Sequence, residues 1–153
     1  PAARNRRAAS VRSVEGFHFS ADVDARFNET DAQGIIHHAV HVVWFEVARI
    51  AYLSRIPGGY PGLRESGVDV TTIELYVRYR EGVTFDRSLR VWTRCSEIRG
   101  ARMRFEYTVA DAASGNVVAE GWTSHACVNT ETLRARRVPE ELAAALEELE
   151  QPA

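Results

Sequence analysis

One stretch constrains the fold of this chain more than any other. From His38 to about Leu53 nearly every residue is apolar, and only His41, Glu46 and Arg49 interrupt the run. It is too long for an ordinary strand of about 5–6 residues. Its apolar surface runs nearly all the way round a helix, so the run predicts a helix buried on most sides. Such a helix needs other elements to wrap it.

The rest of the chain supplies strands. Phe17, Phe19, Ala21, Val23, Ala25 and Phe27 alternate with polar residues, which predicts a strand with one buried face. Pro57-Gly58-Gly59-Tyr60-Pro61-Gly62 is expected to end the helix, and Leu63 to Gly67 to form a short helical turn or loop. Strands are then predicted over Val68 to Tyr79, Leu89 to Cys95, Arg102 to Val109 and Val117 to Asn129. Glu81-Gly82, Arg99-Gly100 and Asp111 to Gly115 read as hairpin turns between them. Pro139-Glu140-Glu141-Leu142 opens a last helix, running to about Glu150, with proline and acidic residues at its start. The order is one strand, a long buried helix, four strands and a short helix. Strands grouped after a helix imply class α+β, an antiparallel sheet. Five strands curled around one helix form the hotdog arrangement.

Composition excludes several classes. The 153 residues are 45% hydrophobic and 26% charged, ordinary for a globular domain. The expected organisation is a flexible basic tail over 1–16 and a single domain over 17–150. No apolar run approaches the roughly 20 residues of a membrane helix. A net charge of −2 offers no basic field for nucleic acid. Cys95 and Cys127 lack CxxC spacing and read as buried thiols of a cytoplasmic protein. All 19 basic residues are arginine, a compositional habit that also suits phosphate groups.

The segment that can carry chemistry is the polar loop Glu29-Thr30-Asp31-Ala32-Gln33-Gly34, which leads into the buried helix. Free N–H groups and partial positive charge at a helix start stabilise a developing oxyanion. A carboxylate beside such a site can hydrolyse an activated acyl group, by direct attack or by taking a proton from water. Asp31 has that position. The same position suits a carboxylate that only caps a turn.

Asp31-Ala32-Gln33-Gly34-Ile35-Ile36-His37-His38-Ala39-Val40-His41, with Trp44-Phe45-Glu46 behind it, resembles the signature of the 4-hydroxybenzoyl-CoA thioesterase family of hotdog enzymes. The resemblance extends to Val77-Arg78-Tyr79 with Phe85-Asp86, to the strand from Ala119 to Val128, and to Arg136 through Leu142. It implies that Asp31 is the catalytic nucleophile or general base and that the His38 backbone N–H polarises the thioester carbonyl. It implies that Gly34 lets the backbone approach the substrate, with His37, His41 and Glu46 as further substrate-binding candidates. The implied substrate is an acyl-CoA or acyl-carrier-protein thioester, with no metal or redox cofactor. A homodimer or homotetramer with the pocket between chains is implied as well. Val40, His41 and His37 stand where the family carries asparagine or serine, tyrosine, and an aromatic.

Other readings are open at this point. His37, His38 and His41 with Asp31 offer zinc-like spacings, but there is no HExxH and adjacent histidines point apart. Glu46, inside an apolar helix, is expected to be buried and paired with Arg49 or a partner chain, or else to act as a second carboxylate. His125 is expected on the polar side of the last strand. A hotdog dehydratase or hydratase would use one of the histidines, and a non-catalytic acyl-CoA-binding domain would use none.

Overall fold

The computed structural model describes residues 13–152; residues 1–12 of the expected basic tail lie outside the described residues. Strands β1 (Phe19–Asp24), β2 (Val68–Tyr79), β3 (Ser88–Arg99), β4 (Arg102–Asp111) and β5 (Val117–Asn129) form one antiparallel sheet in the order β1-β3-β4-β5-β2. Helix α1 (Val40–Leu53) lies in its concave face, α2 (Gly59–Glu65) follows, and α3 (Glu140–Leu149) closes one end. This is the hotdog fold expected from the element order.

The core forms where α1 meets the sheet. Trp44, Phe45, Ala48, Tyr52 and Leu53 are buried against Leu89, Val91, Phe105, Tyr107 and Val109. The Phe45 and Tyr107 rings stack 4.3 Å apart. Each large side chain withdrawn from water contributes about 1.5–3 kcal/mol. Gly121 lies opposite the backbone of Tyr76 and against the Phe45 ring, and a Cβ there would collide with both. Glycine is therefore required for the close approach of helix, β5 and β2.

Three expectations are corrected. First, α1 is not buried on most sides: Val43 is 51% and Val47 45% exposed, so one stripe stays uncovered. A single five-stranded sheet wraps only part of a helix. Second, Glu81-Gly82 is not a hairpin turn. β2 pairs with β5, so the connection to β3 crosses the sheet. Third, the helical turn expected from Leu63 starts earlier, as α2 from Gly59, after Gly58 at φ +76°. β1 is shorter than its alternation predicts. Ala25 still bonds to Asp86 and Arg87, but the chain then turns, and Arg26 and Glu29 cap a 3-10 turn over Phe27–Glu29.

β2 is an edge strand with Ile73, Leu75, Tyr76 and Tyr79 all more than 40% exposed. That edge and the uncovered stripe of α1 leave apolar surface and backbone hydrogen-bonding groups unpartnered in the single chain.

Candidate active site

The loop before α1 is folded by its own polar groups. The Asp31 N–H donates to the Ile35 carbonyl at 2.8 Å, and the Gly34 N–H returns to the Asp31 carbonyl at 3.0 Å. Gly34 takes φ +76°, which an L side chain rarely adopts. Asp31 Oδ1 accepts the Gln33 N–H at 2.8 Å, an Asx turn. Oδ2 has no partner among the described residues. Thus one carboxylate oxygen fixes the group and the other is free. Ile36, 3% exposed, anchors the loop by donating its N–H to Val83.

Next comes the start of the helix. The Val40 N–H bonds to the His37 carbonyl and the Ala39 N–H to His37 Nδ1. The His38 N–H has no partner among the described residues. Its carbonyl accepts the Tyr79 hydroxyl at 2.6 Å, so the edge strand β2 holds the residue that carries the free donor through the peptide that follows it. Burial raises the Tyr79 pKa, which keeps it an O–H donor.

Asp31 and His38 border one cavity of about 290 Å³, together with Gln33, Ile35, His41 and Tyr79 and the segment Arg80 to Val83. His41 is 3% exposed, its ring 4.8 Å from Trp44 and 5.0 Å from Tyr79. Burial pushes its pKa down to about 4, so it is neutral at pH 7. A free carboxylate oxygen, a free backbone donor and a neutral imidazole thus share one small cavity. This is the equipment for attack on a carbonyl carbon with its oxyanion held.

The Thioesterase-like superfamily model matches residues 25–146, most of the chain and the whole of this site. The chain belongs to the thioesterase-like superfamily. It is 28% identical over 132 residues to the acyl-CoA thioesterase YbgC of Haemophilus influenzae, covering 86% of this chain and 96% of that one. A thioesterase of Thermus thermophilus, solved with coenzyme A and zinc, is 26% identical and superposes with a TM-score of 0.77 over 92% of this chain and all of the other. A second Thermus thermophilus structure, the hypothetical protein TT1821, is 34% identical, with a TM-score of 0.77 over 85% of this chain and 98% of the other.

In this superfamily member the expected site residues separate. Asp31, His38 and His41 converge on the cavity; Gly34, His37 and Glu46 do not border it. His37 is exposed, and against the expectation that adjacent histidines point apart its ring stacks on His38 with centroids 4.1 Å apart. A Cβ on Gly34 would meet no described protein atom within 4 Å, so within the chain it is the φ that demands glycine. Glu46 is not buried: its side chain is 64% exposed on the uncovered stripe of α1 and faces Arg49 at 3.8 Å. Among the described residues no group of three His, Cys, Asp or Glu side chains is placed to hold a metal.

His125 is also corrected. It is fully buried on the concave face, not on a polar one. Its Nε2 meets Thr123 Oγ1 at 2.7 Å and its Nδ1 meets Thr72 Oγ1 at 3.3 Å. Thr123 joins Tyr107 at 2.7 Å, and Tyr107 accepts from Arg49 at 3.2 Å. This polar chain crosses the core away from the cavity. Sequence reasoning missed Tyr79 as the residue that holds His38. The signal was its place at the end of the second-strand segment.

Proposed function

We propose that this chain hydrolyses acyl-CoA thioesters, with the Asp31 carboxylate as nucleophile or general base and the His38 N–H as the oxyanion donor. As base, Asp31 takes a proton from water while the water oxygen bonds to the carbonyl carbon. The carbonyl oxygen gains the negative charge and accepts the His38 N–H. The C–S bond then breaks, the carbonyl reforms, and the thiolate leaves and takes up a proton. As nucleophile, Asp31 bonds to the carbonyl carbon and expels the thiolate, which takes up a proton, and water then opens the anhydride to release the acid and restore the carboxylate. The observation that carries this reading is that Asp31, with one oxygen free, and the unpartnered His38 N–H border the same cavity.

Two further features support coenzyme A and a homo-oligomer. Arg99, Arg102 and Arg104 border a cavity of about 260 Å³ with Trp122, Glu74 and Glu97. None of the three arginines is in an ion pair among the described residues, whereas Arg80, Arg87, Arg90 and Arg94 all are. Antiparallel pairing of two exposed β2 edges would set the start of one strand beside the end of the other. It would bring this arginine end of one copy to the side of its partner's Asp31 cavity. Guanidinium groups bind phosphates bidentately, which favours coenzyme A over a thioester without a nucleotide.

The test is an acyl-CoA panel followed with a thiol reagent, run on the wild type and on Asp31→Asn. Thiol release by the wild type and its loss in the variant are expected. Equal release by both overturns the assignment.

A further inference from the structure

His41 contributes the one buried polar side chain among the described residues on the wall of the Asp31 cavity. The other buried residues there, Ile36 and Val83, are apolar. The remaining polar groups are engaged or exposed: Tyr79 bonds to His38, Arg80 to Glu120 and Glu81 to Arg87. The His41 ring bonds to no described residue. Its Nδ1 is sealed inside the protein without a partner. Its Nε2 also makes no hydrogen bond among the described residues but is not sealed, so it is the ring nitrogen that reaches the cavity.

The tautomer follows from the cost of each arrangement. A sealed N–H without an acceptor is rarer than a sealed acceptor without a donor. The proton of the neutral ring therefore sits on Nε2, and the cavity wall carries a neutral N–H donor. A cavity that hydrogen-bonds a substrate group discriminates strongly against an analogue lacking it, because its own polar atom is then left unpaired.

His38 and His41 border one cavity of only about 290 Å³, so a short span separates them. An acyl group whose thioester oxygen sits at the His38 N–H can therefore reach Nε2 only with an oxygen a few bonds from that carbonyl. We propose that the His41 Nε2–H makes this site selective for thioesters carrying an oxygen acceptor near the thioester carbonyl, as in 3-oxoacyl and 3-hydroxyacyl groups. This rests on the assignment of Asp31 and His38 above. His41 is the specificity-determining residue, and Asp31 retains the chemistry.

The test compares acetoacetyl-CoA and 3-hydroxybutyryl-CoA with butyryl-CoA, which has the same chain length. Wild-type kcat/KM should favour the oxygenated esters about tenfold, the worth of one neutral hydrogen bond. His41→Phe, which keeps a ring but no donor, should bring the ratio near unity. His41→Gln, which keeps an N–H donor, should retain part of it. Parity among the three esters in the wild type overturns the proposal without any variant, and so does an unchanged ratio in His41→Phe. If the wild type binds these esters without hydrolysing them, the hydrolytic assignment has failed, and the same ratio is read from dissociation constants. Parity there overturns the selectivity too.

Discussion

His41 and His125 are both nearly inaccessible to solvent, and burial lowers both pKa values, to about 4 and about 3. They differ in what their nitrogens do. Both nitrogens of His125 are hydrogen-bonded, and its neighbours extend a chain of partners to Tyr107 and Arg49. Neither nitrogen of His41 is bonded to a described residue, and it borders a cavity with a free carboxylate oxygen and a free backbone N–H. Burial and a displaced pKa do not tell a structural polar residue from a functional one. Unmet hydrogen-bonding capacity beside a cavity does, because leaving it unmet costs about 1–3 kcal/mol per group. Arg49 Nε, sealed and unpartnered in the core and bordering neither cavity described above, marks the limit of that rule.

The sharpest way to break the comparison is at Asp31. Asp31→Asn should lower kcat by two to four orders of magnitude, the usual weight of a catalytic acid–base group, and leave the melting temperature nearly unchanged. The side chain is half exposed and its one internal bond, to Gln33, survives on an amide oxygen. A variant that unfolds would move Asp31 to the structural side of the comparison.

Acid should act on both histidines together. Each has a folded pKa below its unfolded value of about 6.5. The unfolded state therefore binds more protons as pH falls, and stability is lost below about pH 6.5. At pH 5 each histidine should cost about 2 kcal/mol. The loss from His41 should level off below about pH 4, that from His125 below about pH 3. Urea unfolding across pH 7.5 to 5 measures it. In His41→Phe the acid-induced loss should shrink by roughly half, and an unchanged loss would show that His41 is accessible to protons in the folded state.

Thr123 links the two bonds of the core chain, so Thr123→Val removes both at once while preserving shape. It should destabilise the fold by about 2–3 kcal/mol, with kcat per folded molecule unaffected. A drop in kcat would mean that the chain from Arg49 to Thr72 communicates with the cavity.

The sequence made local features readable. The ends of β2 and β5 fall where alternation placed them, and α1 stops at Leu53 as the apolar run does. The place of Asp31, on a cavity beside the start of α1, was readable because a polar loop entering an apolar helix is a local pattern. What escaped depends on distant partners. Glu81-Gly82 has the residues of a turn, yet whether it joins neighbouring strands is decided by β5, far along the chain. His125 looks outward-facing because polar residues usually are, and Thr123 lies on the same side of the strand. They face inward because Arg49, Tyr107 and Thr72 complete their hydrogen bonds. Glu46 looks buried because its neighbours are apolar, but a curved sheet leaves one stripe of the helix bare.

The smallest effect concerns Tyr79, which the hydrogen bond to His38 joins across 41 positions of sequence. The bond does not touch the reacting atoms; it fixes the peptide next to the one whose N–H would hold the oxyanion, and so acts on that donor through the His38 backbone. Tyr79→Phe keeps the ring against His41 and removes only the hydroxyl. The His38 carbonyl is exposed enough to accept water instead, so stability should change by less than about 1 kcal/mol. The oxyanion donor would then be free to reorient, and kcat should fall about five- to tenfold with KM little changed, since the bond matters most when charge develops on the carbonyl oxygen. A rise in KM at constant kcat would instead make Tyr79 a wall of the cavity. It would leave the open end of the comparison resting on Asp31 and His41, because no other described residue hydrogen-bonds to the His38 N–H or carbonyl.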